Sequence, residues 1–150
     1  MKPDLNSSAD ARLIELKAWL QGLPPALGLD LQTLRPASSD ASFRRYYRLR
    51  AGPDTVIAMD APPSHEDCRP FLQVGGLLAN GGLNVPKVLA RNLDAGFLLL
   101  SDLGEQTFYQ AIQAGMDDRR LQALYRGALA ALVRMQKIPG ASLPAYDADR

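Results

Sequence analysis

The chain has 150 residues, of which 47% are hydrophobic and 22% charged, and its formal net charge is +1. This is an ordinary globular composition, and the length suffices to bury a sizeable core. The near-neutral balance removes any global electrostatic argument for binding nucleic acid or an anionic membrane. Only a local basic patch could provide one.

Single copies of cysteine and histidine exclude several kinds of site. Cys68 alone can form neither an intrachain disulfide nor a CxxC centre, which fits a reducing cytoplasm. His65 alone cannot build a His-rich zinc site, and a Ser-His-Asp triad would have to use it. The polar first residues exclude a signal peptide, and no apolar run approaches the roughly 20 residues that span a bilayer. We expect a cytoplasmic protein with no membrane partner.

The first predicted elements are a helix and a pair of strands. From Ser8, apolar residues recur at helical spacing until Gly22 and Pro24 stop the pattern. Strict alternation follows, with Phe43, Arg45, Tyr47 and Leu49 on one face and Arg44, Tyr46, Arg48 and Arg50 on the other. The turn AGPD and the apolar run Val56–Met59 complete two antiparallel strands.

The second half of the chain predicts helix, two strands and two helices. A helix capped by Ser64 or Asp67 ends at Gly81-Gly82, with Pro70 acceptable in its first turn. Strands from Val85 and Gly96 flank the turn LDAG. The last helices are Thr107–Ala114 and a long amphipathic one from Asp117 or Asp118 to about Lys137.

This order predicts an α+β fold with an antiparallel sheet in its first two thirds. It is the order of a protein-kinase-like small lobe followed by the first helices of a large lobe. We predict an N-terminal helical segment at 1–34, a small lobe at 35–103 and the start of a helical lobe at 104–150.

Four sequence segments carry a family resemblance. They are SDASFRRYYR from Ser39, VIAMDAPP from Val56, EDCRPFL from Glu66 and GFLLLSDLG from Gly96. Together they resemble the aminoglycoside-phosphotransferase-like family of small-molecule kinases. Within that family the likeness is closest to the bacterial anomeric sugar kinases that phosphorylate N-acetylmuramate and N-acetylglucosamine in cell-wall recycling. The resemblance implies ATP, Mg²⁺ and an amino-sugar substrate.

The resemblance also implies where a nucleotide would bind. The predicted phosphate loop would lie over the ATP phosphates and comprises Ser39, Asp40, Ala41, Ser42, Phe43, Arg44 and Arg45. The predicted hinge segment would offer its backbone to the adenine edge and comprises Ser101, Asp102, Leu103 and Gly104. Neither G-x-G-x-x-G nor a Walker motif is present. The alternatives are an Asp-Ser turn without a ligand and an edge strand that ends in a turn.

The basic strand allows other interpretations. Arg48 and Arg50 are predicted to form a solvated strand face, while Arg44 and Arg45 are candidates for nucleotide contact. Interleaved with Tyr46 and Tyr47, the same arginines could instead form an RNA-stacking surface.

The usual kinase lysine is missing. Aligning VIAM with the kinase V-A-I-K places Met59 at the lysine position, followed by Asp60. The cation would then have to come from Arg44, Arg45 or magnesium. Glu66 and Asp67 are predicted to cap the following helix, and His65 is predicted to be an exposed loop residue.

The sequence contains neither H-x-D-x-x-x-x-N nor a DFG-like segment, so we assign no catalytic residue and no metal ligand. We expect the N-terminal portion of a longer kinase that is inactive alone, and self-association if the chain ends at Arg150. The alternatives are a kinase for another small alcohol, such as an aminoglycoside, choline or homoserine, and a non-catalytic ATP- or RNA-binding module.

Overall fold

The computed structural model describes residues 5–39, 42–140 and 143. The α-helices are α1 (Leu5–Gln21), α2 (Cys68–Asn80), α3 (Phe108–Gln113) and α4 (Asp118–Gln136). The strands are β1 (Leu29–Ser39), β2 (Arg45–Ala51), β3 (Asp54–Asp60), β4 (Val88–Asn92) and β5 (Phe97–Ser101). A short 3-10 helix, Pro25–Leu27, precedes β1. None of the described helices is long and apolar enough to cross a membrane.

The five strands form one sheet in the order β1-β2-β3-β5-β4, and every neighbouring pair is antiparallel. The β2–β3 hairpin is regular from Arg45 opposite Asp60 to Ala51 opposite Asp54. β3 then pairs with β5, so these two strands lie inside the sheet, with β1 and β4 at its edges. The α+β prediction with an antiparallel sheet is confirmed.

The described residues divide into two compact units. The first contains the residues up to Leu72 together with Pro86–Leu103, and therefore holds the whole sheet, α1 and the start of α2. The second contains Gln73–Val85 and the residues from Gly104 onward, with the rest of α2, α3 and α4.

One face of the sheet is covered by α1. Leu16 and Leu20 of this helix are buried, and the Trp19 ring lies 5.6 Å from the Phe97 ring, centroid to centroid. The strands contribute Tyr47, Leu49, Val56, Ala58, Phe97 and Leu99 to this core. Each fully buried leucine adds about 1.5–3 kcal/mol of hydrophobic stabilisation, so α1 is an integral layer of the first unit.

The opposite face is covered by the start of α2. Its core consists of Met59, Ala61, Cys68, Leu98 and Leu100, with Phe71 and Leu72 packed against it. The alternation of strand side chains explains the division, because neighbouring residues such as Met59 and Ala58 must point to opposite faces. Asp67 accepts a hydrogen bond of 2.9 Å from the Arg69 N–H, which is the predicted capping role.

The first strand, β1, is an element that the sequence pattern did not predict. β1 occupies Leu29–Ser39 and crosses the boundary proposed between residues 34 and 35. Its pairing with β2 is irregular between Asp30 and Arg35 and again between Pro36 and Ser38. A proline and two irregularities are tolerated because β1 is an edge strand, but they obscure the period-2 pattern.

Candidate functional site

The predicted phosphate loop connects two paired strands. Ser39 at the end of β1 lies opposite Arg45 at the start of β2, so the loop is closed at its base. Asp40 and Ala41 lie outside the described residues. Ser42 is exposed, and its hydroxyl accepts a 3.1 Å hydrogen bond from the Arg44 N–H. The structure therefore places a short turn immediately before β2.

An aromatic contact lies beside the loop. Phe43 is 61% exposed, and its ring centroid lies 4.4 Å from that of His65. His65 is itself exposed, as predicted, and its Nδ1 lies 2.8 Å from the Ser64 hydroxyl. The contact joins the loop to the segment that precedes α2.

Arg44 forms an ion pair with Glu66, which lies in the same segment before α2 as His65. Its Nε and Nη2 donate hydrogen bonds of 3.1 and 3.0 Å to Oε2 of Glu66. The guanidinium also lies over the Phe71 ring at 6.0 Å from its centroid. Burial alone would lower the pKa of Arg44, but hydrogen bonds to Glu66 and Tyr46 outweigh burial and raise it. Glu66, which was predicted to cap α2, instead binds Arg44.

Arg45 forms a different ion pair on the other side of the sheet. Its Nε and Nη2 donate to Oδ2 of Asp60 at 3.1 and 2.5 Å, and Asp60 is fully buried. The other oxygen, Oδ1, accepts from Nε and Nη2 of Arg12 in α1, at 3.2 and 2.5 Å. Nη2 of Arg12 also donates to the Ala95 carbonyl at 2.7 Å. Asp60 is thus a buried anion held between two guanidinium groups.

The kinase-lysine position is apolar in the structure. Met59 has no exposed surface and packs in the core beneath the start of α2. Cys68 in the same core is buried, and burial raises the pKa of its thiol. Neither side chain offers a charge to a ligand.

The predicted hinge segment begins at the end of the buried strand β5. The Ser101 N–H donates to the Lys87 carbonyl at 2.8 Å, and the Ser101 hydroxyl accepts from the Lys87 N–H at 2.8 Å. Leu103 is 59% exposed, and Gly104 has a positive φ of 103°. The Ser101 N–H is therefore engaged within the sheet, and the segment becomes open at Leu103.

Asp102 is fixed by two side chains from the β2–β3 hairpin. Arg48 donates to its carboxylate from Nε at 2.5 Å and from Nη2 at 2.9 Å, and the Thr55 hydroxyl donates at 2.7 Å. Arg48 is buried, so the prediction of a solvated role for it is wrong, whereas Arg50 is exposed. The Arg48 guanidinium is bound by Asp102, which lies 54 positions further along the chain, instead of by water.

The RNA-stacking alternative loses most of its surface. Tyr47 is buried under α1, Tyr46 packs partly against the opposite core, and Arg48 is engaged by Asp102. Within residues 5–39, 42–140 and 143, no three His, Cys, Asp or Glu side chains are grouped so that they could hold a metal ion. The Arg12–Asp60–Arg45 cluster could not be predicted from local sequence patterns, because its members belong to distant parts of the chain.

The structure combines a five-stranded antiparallel sheet, a helix packed against it, a short loop before β2 and a buried strand that leads into an open segment. Together these features define a class of protein. It is the small lobe of a kinase-like phosphotransferase. Residues 33–150 match the model of the phosphotransferase enzyme family, and the chain belongs to that family.

Several curated relatives share one name. An N-acetylmuramate/N-acetylglucosamine kinase from Pseudomonas aeruginosa is 48% identical over 148 residues, covering 93% of this chain. The kinase of the same name from Pseudomonas putida is 42% identical over 92% of the chain, and that from Neisseria meningitidis serogroup B is 39% identical over 91%. The chain spans 43%, 42% and 40% of these three proteins.

Proposed function

We propose that this chain forms the nucleotide-binding portion of an ATP-dependent sugar kinase. The whole enzyme would transfer the γ-phosphoryl group of Mg-ATP to the anomeric hydroxyl of N-acetylmuramate or N-acetylglucosamine in the cytoplasm. The main support is the similarity to three kinases of that name at 39–48% identity. The family match also includes both the predicted phosphate loop and the predicted hinge segment.

The phosphate end of the nucleotide would meet the loop before β2. Small residues such as Ser39, Ala41 and Ser42 would allow backbone N–H groups to approach phosphate oxygens, and the hydroxyls could donate as well. Two arginines, Arg44 and Arg45, follow at once and are the nearest cations in the sequence. Phosphoryl transfer depends chiefly on such positioning and charge stabilisation.

The adenine end would meet the predicted hinge segment. The Ser101 N–H is already bonded to Lys87, so the backbone available to a nucleotide edge begins further along the segment, at Leu103. The Asp102 carboxylate would hold that backbone in place through Arg48 and Thr55. Leu103 and Gly104 would therefore contact the nucleotide through their main chain, while Ser101 and Asp102 would hold the segment in place.

Among the described residues, no three His, Cys, Asp or Glu side chains are grouped so that they could hold a metal ion. Magnesium normally bridges and neutralises the phosphate oxygens in this class of reaction. We assign to this chain neither the ligands of that ion nor the base that accepts the sugar hydroxyl proton. Residues 35–103 are proposed as the small lobe and 104–150 as the opening of the helical lobe.

The proposal is tested by measuring ADP release by the purified full-length enzyme with a panel of acceptors. The panel contains N-acetylmuramate, N-acetylglucosamine, an aminoglycoside, choline and homoserine. We expect release to depend on the two amino sugars and the product to carry phosphate on C1, as read by NMR. Release with another alcohol instead would redirect the proposal to that substrate class. ATP binding without release in any mixture would support a non-catalytic module and overturn the enzymatic proposal.

A further inference from the structure

We infer that Arg44, held by Glu66, is the cation that contacts the nucleotide phosphates, and that Arg45 is a structural residue. The inference rests on the proposed nucleotide-binding function. It separates two neighbouring arginines that the sequence alone leaves equivalent. In protein kinases, a lysine on β3 contacts the phosphates and is held by a glutamate of the helix packed on the sheet. Here that pair would be built from other residues.

The lysine position on β3 cannot supply the positive charge. Met59 is fully buried and is surrounded by the apolar core on the α2 face of the sheet. The next residue, Asp60, is an anion that two guanidinium groups already hold on the opposite face. A phosphate-binding cation must therefore reach the α2 face from another strand or from a loop.

Arg44 lies between the predicted phosphate loop and β2, and its guanidinium stands over Phe71 of α2, which packs against the Met59 core. Glu66, two residues before the start of α2, accepts both hydrogen bonds on one oxygen. Arg44, next to the predicted phosphate loop, is thus paired with Glu66, an acid next to α2. The pair resembles the Lys–Glu pair of protein kinases, in which a glutamate also holds the phosphate-binding cation.

The Arg44 side chain is partly accessible to a ligand. The Arg44 side chain is 28% exposed, and besides its hydrogen bond to Tyr46 its two bonds to Glu66 use two of the five N–H donors that a guanidinium carries. Glu66 is 15% exposed, so the pair is partly buried, and a phosphate oxygen would reach it through the exposed part of the Arg44 side chain. A guanidinium can bind a phosphate through the edge that does not face the carboxylate.

The Arg45 side chain is 29% exposed, as much as that of Arg44, but its partner is of a different kind. Its partner Asp60 has no exposed surface and also binds Arg12 from α1, which in turn lies over the Phe97 ring at 4.5 Å. Moving Arg45 toward a ligand would leave a buried carboxylate with half of its compensation. Arg45 therefore joins the base of the loop to α1 and serves the fold.

The test compares Arg44→Gln with Arg45→Lys and the exposed control Arg50→Gln in the full-length enzyme. For each variant, the dissociation constants of Mg-ATP and adenosine and the melting temperature are measured. We expect Arg44→Gln to weaken Mg-ATP at least tenfold while adenosine binding changes less than twofold, and Arg44→Lys to restore part of the loss. Arg45→Lys should lower the melting temperature and leave both affinities of the folded protein within twofold.

Several outcomes would overturn the inference. They are unchanged Mg-ATP binding in Arg44→Gln, an equal loss for ATP and adenosine, which indicates a structural role, or an ATP-selective loss in Arg45→Lys. Glu66→Gln tests whether Glu66 positions Arg44. It should weaken Mg-ATP binding less than Arg44→Gln does, and the double variant should bind Mg-ATP about as weakly as Arg44→Gln alone. A wild-type enzyme that binds no Mg-ATP would instead refute the proposed function, so the two failures are distinguishable.

Discussion

Asp60 is a fully buried carboxylate with one guanidinium on each oxygen. Removing one partner from a buried ion pair leaves an uncompensated charge, which costs more than the intact pair contributes. The local sequence does not reveal this, because Arg12 lies 48 positions from Asp60. The cluster connects α1, β2, β3 and the turn before β5.

Asp60→Asn should therefore destabilise the fold by about 3–5 kcal/mol, because Arg12 and Arg45 lose their common anion. Urea unfolding followed by circular dichroism would measure the change in the free energy of unfolding. Asp54→Asn is the matched control, since Asp54 lies exposed at the start of the same strand and should change stability by less than about 0.5 kcal/mol. Equal effects of the two variants would contradict the structural role of Asp60.

Cys68 gives a second prediction at this scale. Burial raises the pKa of its thiol, and the negative charges of Asp67, Glu66 and Asp60 act in the same direction, whereas Arg44 opposes them. Only the thiolate reacts with iodoacetamide, so the native protein should be alkylated about tenfold or more slowly than the urea-unfolded chain at pH 8. With a raised pKa, the native rate should keep increasing above pH 9.0, the ordinary value for this thiol.

The single cysteine of the sequence makes this measurement clean, because mass spectrometry then reports one site. A native rate that levels off below pH 9.0 would mean that the thiol is not shielded in the way the structure shows. The unfolded chain provides the control for reagent quality at each pH.

At the scale of elements, Gly96 shows where backbone geometry demands a particular residue. It has a φ of +73°, and a Cβ there would lie 1.9 Å from the Ala61 carbonyl oxygen. The Ala61 N–H also donates to the Gly96 carbonyl at 2.9 Å. The turn before β5 is thus packed directly against the end of β3.

Gly96→Ala should cost more than about 3 kcal/mol, since about 1–2 kcal/mol of left-handed backbone strain adds to a steric clash. Gly52→Ala is the matched control, because Gly52 has nearly the same φ of +61° but nothing within 4 Å of its added Cβ. It should cost only the strain, about 1–2 kcal/mol. Chemical unfolding of both variants separates clash from strain, and similar losses would show that the close approach to Ala61 is relaxed.

Elements with a clean period could be predicted from the sequence, and irregular ones could not. The helix Asp118–Gln136 agrees with the predicted one from Asp117 or Asp118 to about Lys137, and Phe108–Gln113 lies within the predicted helix Thr107–Ala114. β1 was not predicted, because Pro36 and two pairing irregularities break the alternation of its side chains. Periodicity is a property of the segment's own sequence. The irregularities of β1 arise in its pairing with β2, so the sequence of β1 alone does not show them.

The candidate site shows the same limit. The local sequence pattern placed Arg44, Arg45 and Arg48 on β2 or next to it. It gave no information on the acidic residues with which they form ion pairs. Those partners lie 22, 15 and 54 positions away, respectively. The nucleotide-contact roles remain predictions, whereas the solvated role of Arg48 is wrong because folding brings Asp102 to it.

For the whole molecule, burial is distributed unevenly between the two compact units. Every described residue in the buried core belongs to the first unit, where α1 and α2 cover opposite faces of the sheet. In the second unit, α4 has no buried residue and exposes large apolar side chains, which are Tyr125, Leu129, Leu132, Val133 and Met135. The resistance to local opening should therefore differ between the units.

Hydrogen exchange of the 150-residue chain should show this difference directly. Amides of β3 and β5 lie inside the sheet between two buried faces, so their exchange should require global opening and be slowest. Amides of α4 should exchange much faster, because few buried contacts oppose local opening of a helix of this length. Mass spectrometry of peptides from both regions provides the measurement, and equal protection of α4 and β5 in dilute protein would contradict it.

Repeating the exchange at two protein concentrations separates intrinsic helix stability from association. An exposed apolar stripe is a surface through which copies of the chain can associate, and association would bury it. Protection of α4 that increases with concentration, while β3 and β5 stay unchanged, would identify the stripe as the contact. Substituting Leu129, which is 60% exposed, with lysine should then abolish the concentration dependence without changing protection in the sheet. A dependence that survives Leu129→Lys would place the contact elsewhere, because a charge at the centre of an apolar contact cannot be buried without a partner.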